Sequence, residues 1–115
     1  MESSAQSLLA RFFYWVKMVI HAENMTGSTL SGALSLNTVA ALQGIAREII
    51  ISPATSTTVY TLTITNDNSL NVFIATSITG DFIEEVALPL RGVYTVAITN
   101  ATNDELFIIA IIVEE

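Results

Sequence analysis

Cysteine is absent from this 115-residue chain, which removes disulfides, thiolate catalysis and Cys-based zinc sites but leaves the redox compartment open. Histidine occurs once, at His21, and a lone imidazole argues against a transition-metal site. Only four residues are basic, and Arg11, Lys17, Arg47 and Arg91 are scattered along the chain. Neutralising a nucleic-acid backbone needs clustered Lys and Arg, so nucleic acid is not expected as a partner. Charge of either sign is scarce, at 13% of residues against a typical fraction of about 25%. With 51% hydrophobic residues and a formal net charge of -7, the chain has little charge to spread over its exterior. Part of that exterior is therefore expected to be buried, either in a homo-oligomer (a dimer or trimer) or against a larger partner.

Long apolar runs are also few. Leu8 to Ile20 is the only stretch that could pass for a signal or a membrane segment, but Arg11 and Lys17 interrupt it. It is shorter than the roughly 20 residues a spanning helix requires. A secretory signal wants a basic start and a small-residue cleavage site, whereas this chain has Glu2 near its start and runs on into His21-Ala22-Glu23-Asn24. The segment reads as retained, and no membrane partner is expected. Without a secretory route the sequons at Asn24-Met25-Thr26 and Asn100-Ala101-Thr102 predict nothing.

What the chain does have is a repeat. Val59-Tyr60-Thr61-Leu62-Thr63-Ile64-Thr65-Asn66 returns as Val93-Tyr94-Thr95-Val96-Ala97-Ile98-Thr99-Asn100, and a hydrophobic strand follows each copy. Bulky apolar residues alternate with small or hydroxyl ones in both copies, the period-two signature of a strand with one buried face. Two hairpins packed face to face are expected, with strands near 57 to 66, 70 to 78, 93 to 100 and 105 to 113. Asn66 to Ser69 and Asn100 to Asp104 supply the turns. A further strand is expected near 46 to 52, and a short one over Glu85 to Leu90, where Pro89 favours a sheet edge. Six or seven short strands punctuated at this spacing indicate an antiparallel β-sandwich, Ig-like or jelly-roll-like.

The N-terminal third reads differently. Residues 5 to 22 place Leu8, Phe12, Trp15 and Val19 on one helical stripe and Leu9, Phe13, Val16 and Ile20 on the next, with Ser3 or Ser4 as a possible cap. This predicts an N-terminal amphipathic helix, although Phe, Tyr, Trp and Val also suit a strand. Residues 24 to 37, rich in Gly, Ser, Thr and Asn, read as a flexible joint. The expected organisation is thus a helix and arm over 1–37 and a β-sandwich over 38–115. Leu106 to Val113 is apolar at every position, so both faces of the last strand need cover. One face belongs to the core, and the other calls for the N-terminal helix or another subunit. Leu8, Leu9, Phe12, Phe13, Trp15, Val16, Val19 and Ile20 are the candidate partner or oligomer interface.

No set of side chains suggests catalysis. His21 lacks a nucleophile-elbow context. Glu84 and Glu85, adjacent on a strand, point to opposite faces and cannot act as a glycosidase pair. Asn66, Asp67, Asn68 and Asn71, or Asn100, Asn103, Asp104 and Glu105, could offer oxygens to calcium, but neither group has EF-hand spacing. Turn Asn and Asp commonly bond their own backbone. Arg91, next to Gly92, suits a surface ion pair. No cofactor is called for.

The run Pro53 to Asn66, then Leu88-Pro89-Leu90-Arg91-Gly92-Val93-Tyr94-Thr95-Val96, then Ile98-Thr99-Asn100-Ala101 and a closing apolar strand resembles small β-sandwich virion proteins of tailed bacteriophages. The resemblance covers about half the chain and implies a non-enzymatic role in the virion. That role is capsid decoration or cementing, with the major capsid protein or other virion proteins as partners. It carries over no site residue. The alternative reading is a binding module, for carbohydrate or a receptor, within a phage tail or attachment assembly. A membrane-associated factor using residues 5 to 22 is a third.

Overall fold

The computed structural model describes residues 20–38 and 41–115. They form eight strands: β1 (Ile20–Ser28), β2 (Leu34–Asn37), β3 (Leu42–Pro53), β4 (Val59–Thr65), β5 (Asn71–Thr79), β6 (Phe82–Gly92), β7 (Thr95–Thr99) and β8 (Leu106–Glu114). Sheet I has the order β1-β8-β3-β6 and sheet II the order β2-β7-β4-β5. All the pairings are antiparallel. Of the two sandwich types the sequence left open, this strand order is the jelly roll, in which successive strands, β4 and β5 excepted, pass between the sheets in paired Greek keys.

Alternation builds the core. Tyr60, Leu62 and Ile64 of β4 and Val96 and Ile98 of β7 point inward from sheet II. They meet Ile49 and Ile51 of β3 and Phe107, Ile109, Ile111 and Val113 of β8 from sheet I. The Tyr60 and Phe107 rings pack edge to face with centroids 5.0 Å apart. Pro89 lies in β6, an edge strand as its missing N–H favours.

Three expectations are corrected. The repeat copies do not form two facing hairpins. β4 and β5 do pair, but β7 lies beside β4 in sheet II, with Leu62 opposite Ile98 and Ile64 opposite Val96, while β8 belongs to sheet I. β7 already has β2 and β4 as neighbours, so β8 finds its hydrogen-bond partners between β1 and β3 instead.

Residues 24 to 37 are not a flexible joint, and the expected boundary at 37/38 falls inside the sandwich. These residues hold most of β1, all of β2, and a tight turn in which Leu30 and Ala33 exchange backbone hydrogen bonds. Ser31 and Gly32 take positive φ there. Gly27 serves packing, because a Cβ on it would sit 2.8 Å from Leu34 Cδ1.

The N-terminal helix expected over 5 to 22 lies outside the described residues as far as 19, and its end is strand. Ile20, His21 and Ala22 pair with Glu114, Val113 and Ile112 of β8. β-branched and aromatic residues at helical spacing satisfy both patterns, and pairing with β8 decides for strand at these three positions. No helix occurs among the described residues.

Candidate functional site

Several of the groups weighed for chemistry take structural roles. His21 is half-buried on β1, with Nδ1 3.5 Å from Glu115 Oε2. Glu84 stands opposite buried Ile49 and Glu85 opposite Glu48, on different faces of β6. Asn66 Oδ1 accepts from the N–H groups of Asn68 and Leu70 at 3.0 and 2.9 Å, and so ties its own turn. Asn103 Oδ1 accepts from the Ser31 N–H at 2.7 Å, pinning the β1–β2 turn to the β7–β8 crossing. Among the described residues no group of three acidic, His or Cys side chains is placed to hold a metal. Arg91 ends β6, and its N–H donates to the Tyr94 hydroxyl at 2.7 Å.

One end of the sandwich is a buried polar knot. Thr29 Oγ1 donates to the Thr102 carbonyl at 2.6 Å and accepts from the Glu105 N–H at 2.8 Å. Thr58 Oγ1 donates to Glu105 Oε1 at 3.2 Å. Nearby, the buried Tyr60 hydroxyl donates to the Gly80 carbonyl at 2.7 Å. Burial, reinforced by the Asp81 carboxylate, pushes this hydroxyl up to about 12 from 10.0. Below pH 10 both the folded and unfolded chains keep the proton. Between 10 and about 12 only the unfolded chain releases it, so stability falls with rising pH across that window. The loss is on the order of 2–3 kcal/mol, and urea unfolding at stepped alkaline pH measures it. Tyr60→Phe should remove this share of the slope, and an unchanged slope in that variant would refute the assignment.

The faces of the sandwich are its unusual feature. No residue of β2, β4, β5 or β7 is charged. The outer face of sheet II is a lattice of small hydroxyl and apolar groups. Thr61 lies opposite Thr99, Thr63 opposite Ala97 and Thr65 opposite Thr95. Ser35 and Asn37 continue these rows onto β2. Thr95 Oγ1 donates to Asn37 Oδ1 at 2.7 Å and Thr65 Oγ1 to Asn71 Oδ1 at 3.3 Å, tying the lattice at both sides. Ile74 of β5, 54% exposed, adds an apolar element. Solvent-facing sheets commonly carry charge, which keeps them from associating.

Sheet I carries the charge, and the sides of its edge strands bear Glu23, Glu84 and Glu85. On the outward side of β8, Leu106 and Ile108 are exposed and Ala110 and Ile112 half-exposed. Of the interface residues expected from the sequence, Leu8, Leu9, Phe12, Phe13, Trp15, Val16 and Val19 lie outside the described residues. Ile20 opens β1 and is 59% exposed. The sequence reading missed the neutral face of sheet II. Its signal was the charge-free Thr alternation in both repeat copies, which gains meaning as a surface only once β4 and β7 are known to be neighbours.

No protein-family model matches the chain, and no curated protein matches it. Among solved structures it is similar to PliG of Aeromonas hydrophila, a periplasmic inhibitor of g-type lysozyme, at 12% identity over 80% of this chain and 86% of that one, with a TM-score of 0.48. It is also similar to infectious bursal disease virus of the Gt strain, at 10% identity over 84% of this chain and 32% of that one, with a TM-score of 0.45. A third is the carbohydrate-binding module CBM36 in complex with calcium and xylotriose, at 10% identity over 86% of this chain and 94% of that one, with a TM-score of 0.38. The chain thus spans about a third of the viral chain. Likeness at this level assigns neither a family nor a ligand.

Proposed function

We propose that the chain is a non-enzymatic structural subunit of a tailed-phage virion, a capsid decoration protein that seats on the coat and bridges neighbouring subunits of it. The single observation that carries this reading is the charge-free outer face of sheet II in a protein of net charge -7. A broad neutral face on an acidic protein lets it approach another acidic surface without repulsion where the two meet. The jelly roll supports the reading as an architecture that recurs in viral shells, and the virion-like run from Pro53 to Ala101 points the same way. A cement subunit acts by adding buried area across a joint between coat subunits, which needs shape and neutrality rather than reactive groups.

Jelly rolls also build lectins, which keeps a sugar-binding module as the competitor. Stacking on a sugar needs an exposed aromatic ring, and among the described residues Tyr60, Tyr94 and Phe107 are buried and Phe73 and Phe82 half-buried. Quantitative mass spectrometry of purified particles from the phage encoding the chain tests the proposal. The chain is expected in copy numbers comparable with the coat protein; its absence from intact, infectious particles would overturn the reading.

A further inference from the structure

The outer face of sheet I bears an apolar strip that no described residue covers. Ile83 of β6, Ile50 of β3 and Ala110 of β8 stand in one cross-strand row. Ile108 and Ile112 flank Ala110 along β8. Ile83 is 67% and Ile108 52% exposed. In the row holding Ile112, Glu48 and Glu85 face each other directly across β3 and β6. Like charges placed opposite one another destabilise a sheet, and Arg47 beside Glu48 is bonded to Glu114 at 2.9 Å, so a second cation would relieve the pair.

The described chain starts beside this strip. Ile20, with its side chain exposed, pairs with Glu114 at the end of β8 nearest Ile112. The residues before it match the strip in three respects. Leu8, Phe12, Trp15 and Val19 offer apolar surface. Arg11 and Lys17 are two of the chain's four basic residues and Glu2 is the only acid before Ile20, so residues 1–19 carry +1 while the remainder of the -7 chain carries -8. The length also fits. Glu114 to Ile108 is six strand positions, about 20 Å, while Leu8 to Val19 would cover about 16–17 Å if helical and more if extended. A segment tethered at the edge of the face it fits has a high effective concentration there, which favours its own subunit over a neighbour's.

We propose that residues 1–19 fold back over the outer face of sheet I of the same chain. Their apolar side chains cover Ile50, Ile83, Ile108 and Ile112, and Arg11 or Lys17 comes to the Glu48–Glu85 pair. The subunit is then a monomer in solution, not the dimer or trimer expected from composition, and sheet II is its open face. This inference does not rest on the virion reading and can fail or stand without it.

Trp15, the chain's single tryptophan, reports the contact directly. On the full-length protein, emission, acrylamide quenching and light-scattering mass are measured together. The expected result is a monomer whose tryptophan emits to the blue and is quenched severalfold less than free tryptophan. Replacing Ile83→Asp and Ile108→Asp, both exposed positions, should return the emission and quenching to solvent-exposed values with the β circular dichroism unchanged. Phe12→Ser with Val19→Ser should do the same from the other side of the contact, should the first variant fail to fold. Quenching equal to that of free tryptophan in the unaltered chain would overturn the proposal. So would shielding found only in a dimer or larger species, which would mean exchange between subunits, or shielding untouched by the substitutions.

Discussion

Phe107→Ala lowers the stability of the sandwich by about 3–5 kcal/mol, the largest loss expected from any single truncation in the core. Phe107 is fully buried on β8, where Gly27 of β1 and Pro53 of β3 flank it in register. Its ring packs edge to face on Tyr60 from the opposite sheet. Removing it takes away the transfer free energy of the ring and opens a cavity that neighbours on two sheets cannot close together. The edge-to-face contact adds about 0.5–1.5 kcal/mol beyond the buried area. Because a domain is typically stable by about 5–15 kcal/mol in total, the variant should unfold at a much lower urea concentration, with the slope of the transition unchanged. Leu106→Ala, one position away but 41% exposed on the outer face, should cost far less. Equal losses at the two positions would mean that the inward and outward faces of β8 are wrongly assigned.

Gly44→Ala is the second large effect, about 3 kcal/mol or more, and its origin is the backbone. Gly44 has φ of 130°, in the half of conformational space that a side chain resists. A Cβ there would collide with the Glu114 carbonyl oxygen, and that carbonyl is main chain at the end of β8. It cannot yield without moving the strand. Gly92→Ala is the matched control. Its φ of 111° imposes a comparable conformational cost, but the nearest atom is Asp67 Oδ2 at 3.4 Å, at the end of a side chain that can turn aside. Denaturant unfolding of the two variants should therefore show Gly44→Ala as the more damaging. The reverse order would remove the close approach of β8 as the cause.

The sandwich was legible in the sequence because its signals are local. Tyr60, Leu62 and Ile64, alternating with threonines, mark their own strand, and Pro89 marks its own edge. What escaped is whatever depends on pairing at a distance. Nothing local in Leu106 to Val113 says that it leaves β7 for a place between β1 and β3. The Ser-, Thr- and Gly-rich run over 24 to 37 looks like a linker until Gly27 is seen against Leu34 and Ser31 against Asn103. The candidate surfaces divide in the same way. The apolar second face of β8 could be read from its uninterrupted composition. The facing Glu48–Glu85 pair and the neutral lattice of sheet II needed the register, because residues far apart in sequence make each row.

The docking role of sheet II is tested most directly by adding charge to it and measuring how much of the chain particles take up. Thr63→Glu with Ser35→Glu places carboxylates in one row of the lattice with Ala97 of β7 between them, so they avoid facing each other. Asn68→Glu with Thr102→Glu adds the same charge at exposed turn positions. Occupancy on purified particles lacking the native chain should collapse for the sheet II variant and persist for the turn variant, with both folded. Full occupancy by the sheet II variant would contradict the account.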